Sequence, residues 1–241
     1  MKIAVLADIH ANLEALEAVL ADLESMTVDR VVCLGDLVGY GPDPEAVVAR
    51  IMELGVVALL GNHEAALISK RDRNWLNFQA KDNNIATEAL LSEASLRYCN
   101  SLPRAAVIEG ALFVHGYPPD SVLKYLFMQS DDEIFRMLAQ QPETRIFVGH
   151  THDLKLITVC GDEIAWQSLP IGCLQLQAER RYLINAGSVG QPRDGTSKAK
   201  YVIWDSTKDF LEVRAIAYPA SLTAEKIIAR GFPQAYGTRL L

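Results

Sequence analysis

All five histidines of this 241-residue chain lie in four short runs. These are Ala7-Asp8-Ile9-His10, Gly61-Asn62-His63-Glu64, Phe113-Val114-His115-Gly116 and Gly149-His150-Thr151-His152. Three of the runs follow apolar, β-prone stretches, and so does Leu34-Gly35-Asp36, which carries a carboxylate in place of an imidazole. A fold that sets imidazoles and carboxylates at strand ends can gather them into a metal cluster. Two hard divalent cations on such ligands activate water and clamp the oxygens of a phosphate ester.

The rest of the chain predicts a frame that allows this. Lys2–Asp8, Arg30–Gly35 and Val56–Gly61 have the composition of buried strands. Asn12 to about Ser25 and Asp43–Leu54 have the apolar spacing of amphipathic helices, the second entered through Pro42 and Pro44. This βαβαβ order implies a parallel sheet with functional residues at its carboxyl ends. Strands resume at Ala105–Ile108, Ala111–His115 and Arg145–His150, with a helix near Asp131–Gln140, and antiparallel strands follow from Leu154 to Tyr218. The turn signals there are Gly161-Asp162 and Ser206–Asp209. A last helix is expected at Thr223–Arg230, before a weakly patterned tail. The expected fold class is α/β: a four-layer α/β/β/α sandwich of two mixed sheets flanked by helices. At this length a single domain over 1–241 is expected. Residues 65–103 break the pattern and predict a helical insertion or cap beside the site, with Trp75 and Phe78 as its core.

Charge and cysteines exclude other classes. The balance of 23 basic against 30 acidic residues, net −7, lacks the basic footprint of a nucleic-acid binder, although Lys70-Arg71-Asp72-Arg73 is a local basic strip. No two of the four cysteines have CxxC spacing, which excludes a zinc ribbon or thioredoxin-like motif, and Cys33 reads as a small core residue. The chain enters a strand at Lys2 with no signal peptide ahead of it, and no apolar run has membrane-spanning length, so a cytoplasmic location is expected. Gly39-x-Gly41 lacks the strand–glycine–helix context of a dinucleotide fingerprint.

In order, Asp8-x-His10, Gly35-Asp36 with Gly39 and Gly41, Gly61-Asn62-His63-Glu64, His115 and Gly149-His150-Thr151-His152 resemble the calcineurin-like metallophosphoesterase family. The resemblance covers every motif of that family over roughly 3–195. It is strongest to the small bacterial and archaeal phosphodiesterases, which share Asp-Ile-His-x-Asn at the start and a late Asn-x-Gly-Ser, here Asn185-Ala186-Gly187-Ser188. It implies two divalent metal ions. One is held by Asp8, His10, Asp36 and His152, the other by Asp36, Asn62, His115 and His150. It also implies His63 as the acid that protonates the leaving oxygen. Two cations against two aspartates leave a positive surplus that favours a bridging hydroxide and an anionic phosphate. Asn12 and Arg193 are further candidates for phosphate contact, Arg193 being balanced between that role and a solvated turn.

The bland readings explain less. Asp8 and Asp36 each precede a helix and suit N-caps, but capping gives His10 no reason to be there. Glu64 reads as a first-turn carboxylate favoured by the helix dipole. The expected activity is hydrolysis of a small-molecule phosphodiester or nucleotide, with manganese, iron, zinc, cobalt or nickel as the metal. A serine/threonine protein phosphatase or a diadenosine-polyphosphate hydrolase is the enzyme alternative. A non-catalytic metal-binding scaffold is the alternative of another class. Partners beyond the small-molecule phosphoester are not indicated, apart from a homo-oligomer.

Overall fold

A computed structural model describes residues 1–241. The amino-terminal part builds β1 (Lys2–Leu6), α1 (Leu13–Glu24), β2 (Arg30–Cys33), α2 (Pro44–Leu54) and β3 (Val57–Ala58). Four short helices follow: α3 (Asn62–Ile68), α4 (Lys70–Arg73), α5 (Phe78–Glu88) and α6 (Glu93–Ser101). Next come β4 (Ala105–Ile108), β5 (Ala111–Val114), α7 (Asp131–Gln140), β6 (Arg145–Val148), β7 (Leu154–Cys160) and β8 (Glu163–Ser168). The chain closes with β9 (Gly172–Gln175), β10 (Arg181–Ala186), β11 (Ala199–Asp205), β12 (Phe210–Ile216), α8 (Ala220–Ala229) and α9 (Gln234–Thr238).

The strands form two six-stranded mixed sheets, ordered β3-β2-β1-β11-β12-β9 and β4-β5-β6-β10-β7-β8. β1, β2 and β3 are mutually parallel, as are β5, β6 and β10, and the remaining pairings are antiparallel. The period of two along each strand sorts its residues between layers. On β1, Ile3 and Val5 face the second sheet, while Ala4 and Leu6 face the helices. On β5 and β6, Phe113 and Phe147 face the first sheet and stack at 4.9 Å, while Leu112, Val114, Ile146 and Val148 pack under α7. The inter-sheet core and the two helix-covered outer cores make the four layers.

Local sequence explains the ends of the elements. Asn12 caps α1 by accepting the Ala15 N–H at 3.1 Å, Pro44 opens α2, and Gly55 closes it in the left-handed conformation. β3 is shorter than the expected Val56–Gly61, because the Leu60 N–H leaves the sheet for the Pro103 carbonyl at 2.8 Å and the chain turns into α3. The tail of weak pattern forms α9, packed on α8 through Ile227, Tyr236 and Leu240. Trp75 and Phe78 are not the core of the insertion: they are 69% and 79% exposed. α5 instead buries Ala80, Asn83, Asn84 and Thr87, which are small or polar side chains. No helix is long and apolar enough to cross a membrane.

Candidate metal centre

The strand-end residues share an unusual backbone. Asp8, His10, Asp36, His150 and His152 have φ of 53°, 48°, 53°, 68° and 63°, in the left-handed region that side chains with a Cβ avoid. Each such residue costs roughly 1–2 kcal/mol. Cross-loop hydrogen bonds that prolong the β1–β2 pairing hold Asp8, His10 and Asp36 there: Asp8 N–H to Gly35 O at 3.1 Å, His10 N–H to Asp36 O at 2.9 Å and Ala11 N–H to Leu37 O at 2.7 Å. The late Asn185–Ser188 run belongs to this frame. Asn185 donates to Gly149 O and Thr151 Oγ1, and the Ser188 hydroxyl donates to Asp8 O at 2.8 Å. Two glycines are required by close approach. A Cβ on Gly61 would overlap the Asp36 backbone nitrogen and Oδ1, and one on Gly39 would overlap His63 Nδ1.

The donors fit a cation. His10 Nδ1 lies 3.0 Å from Val38 O, His152 Nδ1 2.6 Å from Gln191 O, and His115 Nδ1 3.2 Å from Leu34 O. A carbonyl only accepts, so each Nδ1 carries the proton and each Nε2 presents a lone pair. The Nε2 atoms of His10 and His152 face each other at 3.0 Å. His115 Nε2 faces Asn62 Oδ1 at 3.0 Å and Asp36 Oδ2 at 3.4 Å, with His150 Nδ1 3.1 Å away. Asp36 Oδ2 is also 3.7 Å from His10 Nε2, and Asp8 Oδ1 is 3.7 Å from His152 Nε2. Buried lone pairs that converge with no proton between them repel unless a cation lies among them. The ligand atoms form three overlapping groups, Asp8–His10–His152, His10–Asp36–His63 and Asp36–His115–His150, so Asp36 links the two ends of the cluster.

Burial keeps most of the imidazoles in the neutral, ligating form. It lowers His10, His63 and His152, and lowers His150 to about 3. His115 differs: without a cation beside it the Asp36 charge outweighs burial and raises it to about 9, so a cation at Nε2 would take the place of a proton there. Burial would raise Asp36, and the charges of His115 and His63 bring it well below the usual carboxylate range. Asp8 has less support, and burial pushes it up to about 8, so its ionised form needs a cation beside it.

A second layer of side chains holds the first. Glu64, expected only to favour the helix dipole, is fully buried and accepts the N–H groups of Asp36, Val38 and Gly61 at 2.9, 3.0 and 2.9 Å. Asn84 donates to His63 O at 3.0 Å, and Asn83 accepts the Tyr40 N–H at 2.6 Å. The Tyr40 ring meets His10 and His63 edge-on at 4.7 and 4.6 Å, and Tyr125 stacks on His150 at 3.8 Å. None of Asn83, Asn84, Tyr40 or Tyr125 carries a motif signal, so sequence reasoning missed all four. Asn12 is buried with its amide occupied: it donates to Gly190 O and Tyr218 Oη and accepts from Ala15 N–H and the Thr223 hydroxyl. Those bonds give it a structural duty, joining α1 to α8, and leave it no free donor for phosphate. Arg193 is exposed beside the cluster, bonded only to Gln191 Oε1 at 3.3 Å, and its charge is felt by Asp8, His10, His63 and His152. On the opposite side Trp75, Leu76 and Ala80 of the insertion and Leu123 and Tyr125 of the loop after β5 line a cleft that reaches Asn62 and His150.

Comparison with known proteins agrees with this geometry. A sequence model of the calcineurin-like phosphoesterase superfamily domain matches residues 1–209. An uncharacterized protein of Methanocaldococcus jannaschii is 36% identical over 99% of this chain and 96% of its own length. A metallophosphoesterase from Sphaerobacter thermophilus superposes with a TM-score of 0.85 at 32% identity, covering 100% of this chain and 98% of its own. A hypothetical protein from Pyrococcus horikoshii shares the fold, with a TM-score of 0.79 at 19% identity over 99% of this chain and 97% of its own.

Proposed function

Since the chain belongs to the calcineurin-like phosphoesterase superfamily and is a metallophosphoesterase, we propose that it hydrolyses a small-molecule phosphodiester or nucleotide at a dinuclear metal centre. The observation that carries this reading is the pair of facing Nε2 lone pairs on His10 and His152 at 3.0 Å, with the Asp36 carboxylate between them and His115. Asp8, His10, Asp36 and His152 would hold one divalent cation. Asp36, Asn62, His115 and His150 would hold the other. When bound, the pair supplies water activation and neutralises the charge of the phosphate.

The remaining steps belong to the chain's own residues. His63 delivers a proton to the leaving oxygen. Burial lowers this imidazole, and a phosphate's negative charge beside it would favour its protonated form. Gly39 against Nδ1, Tyr40 against the ring and Asn84 on the carbonyl fix its orientation. Arg193 meets a phosphate oxygen at the open rim, where its guanidinium has no carboxylate partner. The cleft walled by Trp75, Leu76, Leu123 and Tyr125 supports a small substrate with an apolar group.

The test is hydrolysis of bis(p-nitrophenyl) phosphate by the manganese-reconstituted chain. Metal-dependent release of nitrophenolate is expected. No release from protein that elemental analysis finds loaded with two equivalents would refute the reading and favour a binding scaffold.

A further inference from the structure

A second cavity adjoins the apolar cleft at Tyr40 and Asn77, which line both, and Tyr40 joins it to the metal centre through His10 and His63. It has a volume of about 640 Å³, and its lining includes Asn77, Thr196, Arg193, Tyr236 and Arg239. One wall is α9 and the residues after it, which with α8 form a carboxyl-terminal hairpin beyond the residues matched by the superfamily model. That hairpin is tied to the site by specific contacts. The Thr223 hydroxyl donates to Asn12 Oδ1 at 3.1 Å, Lys226 donates to Asp43 at 2.6 Å, and the Tyr236 ring meets Tyr40 at 5.0 Å.

The charge in this cavity runs against the rest of the chain. The protein carries seven more acidic than basic residues, yet the cavity lining contains two arginines and no acidic side chain, its one carboxylate being the main-chain terminus at Leu241, which pairs with neither arginine. Neither guanidinium is neutralised: Arg193 touches only the neutral Gln191 amide, and Arg239 makes no ion pair and no side-chain hydrogen bond. Asp194, next to Arg193, is spent on Lys200 at 2.6 Å. Asp82 of α5 is the carboxylate felt at Tyr236, and it pairs with neither arginine. The buried Tyr236 hydroxyl has no partner in the protein. Two unpaired guanidiniums flanked by amides and hydroxyls form an anion-binding surface. The Arg193 charge acts on Asp8, His10, His63 and His152, whereas the Arg239 charge acts on Tyr236, farther along the cavity lining.

We propose that Arg239 binds a second anionic group of the substrate, beyond the phosphate that Arg193 meets, so that the chain prefers phosphoesters carrying another phosphate at a distance from the one cleaved. The proposal rests on the phosphoesterase reading for which phosphate is cleaved, but the anion site can be tested without turnover.

The manganese-loaded full chain is titrated calorimetrically with propanediol, butanediol and hexanediol bisphosphates and with the corresponding monophosphates. At least one bisphosphate should bind about tenfold or more tightly than its monophosphate. Arg239→Ala should reduce that advantage to about twofold or less and leave monophosphate affinity unchanged, and Arg239→Lys should keep part of it. No advantage in the parent chain, or one that survives Arg239→Ala, would overturn the proposal. Hydrolysis of bis(p-nitrophenyl) phosphate by the same preparations separates the two readings. An inert protein with an Arg239-dependent advantage keeps the anion site and loses the hydrolysis. An active protein without the advantage does the reverse.

Discussion

The Glu64 carboxylate accepts the backbone N–H of Asp36 at 2.9 Å, and Asp36 Oδ1 in turn accepts the backbone N–H of His63 at 2.9 Å. One buried glutamate thus fixes the residue that links the two ends of the metal cluster, and that residue fixes the imidazole proposed as the acid. Glu64 also gathers the Val38 and Gly61 N–H groups, so the loops after β2 and β3 converge on its two oxygens.

Glu64→Gln keeps the shape but turns one acceptor into a donor aimed at an N–H. The expected cost is about 1–3 kcal/mol of stability, the usual penalty for an unsatisfied buried polar group. Metal affinity should fall with it, because the left-handed turn at Asp36 loses its anchor. Urea unfolding with and without manganese reads both effects. An unchanged midpoint together with unchanged metal content would contradict this role.

Asp36 and His63 should separate when each is replaced. Asp36→Ala is expected to empty both metal positions and abolish turnover. His63→Ala should retain about two equivalents of metal, as expected of a two-metal site. Its turnover should fall by about 10²–10⁴, the contribution of a positioned acid or base. The check is elemental analysis beside initial rates. His63 also approaches His10 and Asp36 closely enough to ligate, so loss of metal from His63→Ala would reassign it from acid to ligand.

A pH effect is expected far from the site. Hydrogen bonds from Arg214 at 2.6 Å and from the Tyr201 hydroxyl at 2.5 Å hold Asp22 below its ordinary value of 3.8. A carboxylate with a depressed folded pKa stabilises the fold above its unfolded pKa, and that stabilisation is lost as pH falls through the folded value. The stability gap between the parent chain and Asp22→Asn should therefore be level above about pH 5 and shrink in acid below pH ~4. Its plateau should be of order 1 kcal/mol for a pair partly open to solvent. A gap that does not change between neutral pH and acid would show that Asp22 contributes nothing through its charge.

The sequence by itself determined the layers and the inner donor set. The period of two in Lys2–Leu6 and Ala111–Val114 already assigns each side chain to one face of a sheet, and the amphipathic spacing of α1, α2 and α7 already gives each helix a face to bury. These are short-range patterns, so they can be read without contacts. The cluster residues could be read because histidines are few here and recur in fixed short motifs. Only the tertiary structure decided which side chains surround them. Asn12 resembles a phosphate ligand in its motif, but α8, some two hundred residues later, engages its amide. Trp75 and Phe78 have core chemistry, but the fold buries smaller residues of the insertion and leaves both rings exposed. Tyr40, Asn84, Tyr125 and Arg239 carry no local signature, because their roles arise from contacts between segments distant in the chain. Even the left-handed backbone at Asp8, His10 and Asp36 cannot be read from residue types that usually avoid it. The fold enforces it through hydrogen bonds between neighbouring strand ends.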